Sequence, residues 1–172
     1  MKPKTMVRFL CTVLALLLCA TPSSAQPPSI APPTLHIDIP VDLEQAKVLL
    51  NMDHLVYEGA TPTGLGYMKR MVAEFTASKA RWQMIAIFHG PAGYMLLNDA
   101  AYDRERRTSG GNPYRPLIAE LQKAGVRFEE CGFTAHVHHW GNVDLLPGVK
   151  VNSGANFRIV QLAQEGFVVL QP

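Results

Sequence analysis

The chain has 172 residues, 48% of them hydrophobic and 17% charged, with 16 Lys and Arg against 14 Asp and Glu. Three of the basic residues, Lys2, Lys4 and Arg8, fall in the first 25 positions, which hold no acid, so the remainder carries 13 against 14 and a formal charge of −1. That balance, with no basic patch and no amphipathic stretch, argues against nucleic-acid binding and against attachment to a membrane surface.

The first 25 residues read as an address. Lys2, Lys4 and Arg8 form a basic start, Phe9 to Ala20 is apolar, and Ser23 and Ala25 place small residues before Gln26. The apolar run is short of the roughly 20 residues a membrane span needs. Residues 1–25 are therefore expected to be a cleaved secretory signal, leaving a periplasmic or secreted protein without a membrane span. Gln26 to Pro33 holds four prolines, and residues 26–34 read as a disordered leader. Residues 35–172 are the right size for a single domain with a core of its own.

Strand and helix then alternate. Ala46 to Met52 is a short apolar run that suits a first buried strand. Thr61 and Pro62 read as a helix cap and first helical residue, with Leu65, Met68, Val72 and Phe75 as the buried face behind them. Trp82 to Phe88, WQMIAIF, is apolar almost throughout, as expected of a strand covered on both faces near the middle of a parallel sheet. His89 ends it. The turn Gly90-Pro91-Ala92-Gly93 leads into a second helix, Tyr94 to Tyr102, and is neither a P-loop nor a dinucleotide fingerprint.

Arg104 to Asn112, with Gly110 and Gly111, reads as a mobile polar excursion. A third helix follows over Asn112 to Ala124, stopped by Gly125. Val126 to Glu130 is the third strand, and Cys131 stands where it passes into a helix ending near Gly141. Asn142 to Gly148 is a loop, and Val149 to Val151 a fourth strand. Ser153 caps a helix through about Gln164, and Phe167 to Leu170 is the fifth strand. This alternation predicts an α/β fold, an open parallel sheet with helices on both faces.

Chemistry collects at the carboxyl ends of such strands. Once the signal has left with Cys11 and Cys19, Cys131 is the sole thiol. In an oxidising compartment it is buried and inert, bonded to another chain, or reactive. A helix start at Cys131 favours its thiolate, Thr134 adds a hydrogen bond, and Glu129 and Glu130 oppose ionisation. Strand alternation puts Glu129 on the face of Cys131 and Glu130 on the other. If the second and third strands are neighbours, His89 and Cys131 share one crevice and a thiolate–imidazolium pair becomes available; the reading set against it is a histidine that hydrogen-bonds a loop carbonyl.

His136 and His139 share a helix face at i,i+3 and suit zinc or copper, provided Cys131, His89 or another subunit completes the set. No carboxylate pair and no G-x-S-x-G nucleophile motif is present.

The run AGVRFEECGFTAH, with DLLPGVKVNSGA and QEGFVVLQP after it, resembles the DsrE/DsrF-like family over roughly Lys47 to Pro172. The resemblance implies a three-layer α/β/α fold with a five-stranded, mainly parallel sheet, and a homo-oligomer. It also implies sulfur carried as a persulfide on the cysteine after the third strand, which Cys131 matches, with a sulfur donor or acceptor as partner. The expected site is thus Cys131, His89 and Thr134. Two readings stay open: a sulfur carrier or transferase, and a non-catalytic module that binds a small ligand or metal in the His89, Cys131 and His136 crevice. Phe133, Trp140 and Val143 to Pro147 are the expected interface between copies.

Overall fold

The run WQMIAIF becomes the middle strand of a five-stranded parallel sheet. In the computed structural model, which describes residues 34–172, the strands are β1 (Gln45–Met52), β4 (Arg81–Phe88), β5 (Arg127–Cys131), β6 (Lys150–Asn152) and β7 (Val168–Leu170). They lie in the order β6-β5-β4-β1-β7, and every neighbouring pair is parallel. All five expected strands form, and the second and third are adjacent, Phe88 standing beside Glu130. The expected signal and most of the proline-rich leader lie outside the described residues. The first strand begins at Gln45.

The pleat divides the strand residues between two cores. Val48, Leu50, Met84, Ala86, Phe88 and Phe128 face one side, where they meet Leu65, Met68 and Phe75 of α1 (Thr63–Ala77) and Ile118 and Leu121 of α3 (Arg115–Ala124). Leu49, Ile85, Ile87 and Cys131 face the other, against Ala155 and Leu162 of α5 (Ala155–Gln164). Residues of successive strands with period two therefore give the three-layer α/β/α arrangement directly. The layers are unequal. Helix α2 (Asp99–Arg106) and the short α4 (Gly132–Val137) also send Ala101, Tyr102 and Ala135 into the first core, leaving α5 to cover the second.

Connection handedness explains the imbalance. From β1 through β4 and β5 to β6 the chain steps across the sheet in one direction, so right-handed crossovers put their helices on one face. The step from β6 back to β7 runs the other way and puts α5 on the opposite face.

Several boundaries differ from the sequence expectation, each for a local reason. Thr61 and Pro62 do not open α1: they form β3 and pair antiparallel with β2 (Tyr57–Glu58) across a turn in which Gly59 has φ +63°. The helix starts one residue later, with Pro62 as its cap and no side-chain cap bond. The expected helix Tyr94–Tyr102 is a 3₁₀ segment, Gly90–Leu96, followed by α2, because Asn98 caps a new start by accepting from the Ala101 N–H at 2.9 Å.

The excursion Arg104 to Asn112 is one third helix, through Arg106, and two thirds tethered loop. The Asp103 carboxylate accepts from Gly111 N–H, Asp99 from Asn112 N–H, and the buried Asn112 amide donates to the Met95 and Leu97 carbonyls. α3 accordingly starts at Arg115 instead of Asn112, while Gly125 ends it in the left-handed region as its position predicts. Gly154, not Ser153, is the residue before α5. Among the described residues no helix is long and apolar enough to cross a membrane.

Candidate functional site

β5 hands the chain to α4 on one face of the sheet, and β6 hands it to α5 on the other. The carboxyl ends of these two strands thus flank a topological switch point, where the diverging connections leave a crevice. A cavity of about 420 Å³ occupies it. Cys131, Thr134 and His89 line it, and residues 153–157 at the start of α5 form its far wall. The three residues expected to make the site are therefore brought together. Apart from two histidines, His89 and His138, no lining side chain is of a basic or acidic type.

Cys131 is the last residue of β5 and the cap of α4, and only 4% of it is exposed. Its Sγ accepts from the Ala155 N–H at 3.3 Å. Burial pushes the thiol up, but the N–H groups of Thr134, Ala155 and Phe133 and the Thr134 hydroxyl outweigh it and hold the pKa below the ordinary thiol value. Thr134 Oγ1 itself accepts from the Gly90 N–H at 2.9 Å, which leaves its hydroxyl hydrogen for the sulfur. Gly132 allows this close fit: a Cβ there would lie 2.6 Å from the Asn152 carbonyl oxygen of the adjoining strand.

The two glutamates before the cysteine separate as alternation predicts, yet neither acts as a simple counter-charge. Glu129, on the thiol face, is gripped by Arg158 of α5, whose Nε and Nη2 donate to its carboxylate at 2.9 to 3.2 Å, with Asn152 Nδ2 adding a third donor. Its charge is matched where it stands. Glu130 points to the other core, is fully buried, and neither carboxyl oxygen has a hydrogen-bond partner. Gly93 makes room for it, since a Cβ there would sit 2.7 Å from Glu130 Oε1. Burial, then the neighbouring Cys131 thiolate, push its pKa up to about 9, so it is a neutral acid near pH 7.

His89 lines the cavity but is not hydrogen-bonded to Cys131. Its Nε2 meets Asn51 Oδ1 at 2.7 Å, and burial lowers its pKa. Of the two readings of His89, the local hydrogen bond is the one that forms, to the Asn51 side chain rather than to a loop carbonyl, and the imidazole in the cavity is neutral. Asn51 continues into Gln171, Asp53 and His54 across the ends of β1 and β7. This polar network had no local signature in the sequence, because Asn51 and Gln171 are 120 positions apart.

The remaining histidines do not converge. α4 stops at Val137, so His139, at φ +58°, is not one helical turn above His136, and both are exposed. Among the described residues no three His, Cys, Asp or Glu side chains are grouped to hold a metal ion. His138 lies against Trp140, their rings stacked at 4.5 Å, and both reach Glu105. Trp140, Leu145 and Leu146 belong to the first core, while Phe133, Val137 and Phe157 stand exposed around the cavity mouth and Val143 is exposed beyond it. Of the expected interface, then, Phe133, Val143 and Pro147 are at the surface.

No family model matches the chain, and no curated protein matches it. Among solved structures it is similar to MTH1491, a protein of unknown function from Methanobacterium thermoautotrophicum, at 21% identity and a TM-score of 0.60. The match covers 74% of this chain and 99% of that one. The likeness is one of fold, and the α/β architecture described above is common to both.

Proposed function

We propose that this is an exported sulfur-handling protein of the DsrE/DsrF-like kind, in which Cys131 accepts sulfur as a persulfide. One observation carries the reading: a cavity-lining thiol whose pKa is held down by three backbone N–H groups and a hydroxyl. Such donors stabilise a thiolate, and the thiolate is the nucleophile. In the loading step Cys131 Sγ⁻ attacks the outer sulfur of a donor R–S–SH. The new Sγ–S bond forms as the donor's S–S bond breaks, and R–S⁻ leaves with the electron pair and takes up a proton from solvent. No net oxidation occurs.

Incubation with a low-molecular-weight persulfide should add the mass of one sulfur to the protein and none to the Cys131→Ser variant. Because the thiol pKa lies below its ordinary value, loading should rise through that depressed pKa and level off above it. A wild-type protein that gains no mass, with a thiol that also resists alkylating reagents, would mark Cys131 as a core residue and leave the small-ligand module as the reading.

Phe133, Val137 and Phe157 make an apolar rim beside the thiol. A patch of this kind suits a protein surface, and a second copy of the chain is the partner the family resemblance suggests. Sedimentation at high micromolar concentration should give a species larger than a monomer, and Phe133→Ser with Phe157→Ser should shift it toward monomer. A monomer in the unaltered protein removes the homo-oligomer.

A further inference from the structure

The network behind His89 can be read donor by donor. A carboxylate only accepts, so the Gln171 side chain must turn its NH₂ group toward Asp53, as observed. Gln171 Oε1 is then the atom left to face Asn51, and it accepts from Asn51 Nδ2 at 2.9 Å. That in turn commits Asn51 Oδ1 to His89, where it lies 2.7 Å from Nε2. An amide oxygen cannot donate, so the imidazole hydrogen sits on Nε2. In a neutral ring this leaves Nδ1 as a bare lone pair. No described residue bonds to that atom.

We propose that this relay makes His89 the base of the cavity, and that the cavity takes a compact, uncharged thiol as sulfur acceptor, whose S–H proton passes to Nδ1. The proposal rests on the persulfide reading above and deepens it by naming the acceptor class. The acceptor R′–SH gives its proton to Nδ1. R′–S⁻ attacks the outer sulfur of Cys131–S–SH, the R′–S–SH bond forms, and the bond to Cys131 breaks with its electrons remaining on Sγ. Cys131 leaves as the thiolate that the Thr134, Ala155 and Phe133 N–H groups stabilise, and a lower leaving-group pKa speeds such exchange. The products are R′–S–SH, Cys131 thiolate and a His89 imidazolium that returns its proton to solvent.

Charge selection follows from the walls. No Lys or Arg lines the cavity, so no fixed positive charge offsets the desolvation of an acceptor that carries its own anionic group, and Phe133, Val137, Ala155 and Phe157 supply apolar contact. The titratable groups that face His89 are Asp53 and His54 on the relay side and Cys131 and His138 on the cavity side. Asn51 and Gln171 are positioning residues. They act only through the imidazole.

The test uses two readouts on the whole protein. Nitrogen-15 chemical shifts of His89 should show hydrogen on Nε2 and none on Nδ1 near neutral pH. Asn51→Leu should release a mixture of tautomers. Asn51→Asp keeps an acceptor for Nε2–H but adds negative charge, so it should hold the tautomer and raise the His89 pKa. In the second readout, protein loaded with sulfur from inorganic polysulfide is offered 2-mercaptoethanol or 3-mercaptopropionate.

Transfer to 2-mercaptoethanol should be the faster after correction for each thiol's own reactivity. It should slow roughly tenfold in Asn51→Leu, part of what a general base contributes. Asn51→Asp should restore much of that rate with its pH profile moved upward. Hydrogen on Nδ1 in the unaltered protein, equal rates in Asn51→Leu, or preference for the carboxylate thiol would each overturn the inference. Failure of Cys131 to load at all would overturn the persulfide reading instead, and the His89 shifts would still report on the relay.

Discussion

Arg158→Met should destabilise the protein by about 3 kcal/mol and make the Cys131 thiol harder to ionise at the same time. The guanidinium and the Glu129 carboxylate keep only 23% and 11% of their side-chain surfaces exposed, and they meet through three short contacts. Removing one partner of a mostly buried pair costs about 3 to 5 kcal/mol, because the other charge is left without compensation. The lower figure fits here, since part of the guanidinium already sees solvent. Glu129 also shares the sheet face of Cys131, so an unmatched carboxylate there opposes a second negative charge on the sulfur. Urea unfolding should show the loss of stability, and the pH dependence of Cys131 alkylation should move upward. A double variant, Arg158→Met with Glu129→Leu, should recover most of the stability and return the alkylation profile, because it removes the uncompensated charge as well as the pair. A single variant as stable as the parent would mean that the pair is a solvated surface contact.

The residues that were legible in the sequence are those whose placement is set by short-range periodicity. WQMIAIF reads as a strand buried on both faces, and with the strands alternating with helices, this puts His89 and Cys131 at the same end of one sheet. The same period of two placed Glu129 and Glu130 on opposite faces. What that pattern lacks is the partner from elsewhere in the chain. Nothing near Glu129 announces that α5 will deliver Arg158, 29 positions on, to cancel its charge. Likewise Asn51 and Gln171 read as ordinary polar residues at strand ends until the fold sets β1 beside β7. The helix assumed beneath the histidine cluster was misjudged in the opposite way. The cluster's i,i+3 spacing assumed a helix reaching Gly141, whereas the chain turns at His138 and His139 so that Trp140 can be buried. Burial of one large aromatic outweighed the continuation of a short helix with little propensity of its own.

Glu130→Met should stabilise the protein by about 3 kcal/mol at pH 7 and flatten its stability between pH 5 and 8. Glu130 is fully buried with both oxygens unpaired, and its pKa rises from an ordinary 4.5 to about 9. The sign follows from proton counts. Below pH 4.5 the carboxyl is protonated in the folded and unfolded chains alike, and it contributes no pH dependence. Above that value the unfolded chain loses its proton while the folded chain keeps it, so stability falls by about 1.4 kcal/mol per pH unit. The decline reaches about 3 kcal/mol by pH 7 and continues until the folded carboxyl ionises near pH 9. Methionine has a similar length and no proton to lose, and it sets an apolar group among Trp140, Thr134 Cγ2 and the Gly93 backbone. Denaturant midpoints measured in steps from pH 5 to 8 should therefore diverge steadily, the parent falling and the variant holding. Parallel profiles would show that Glu130 ionises without penalty and that its pocket admits water or a cation.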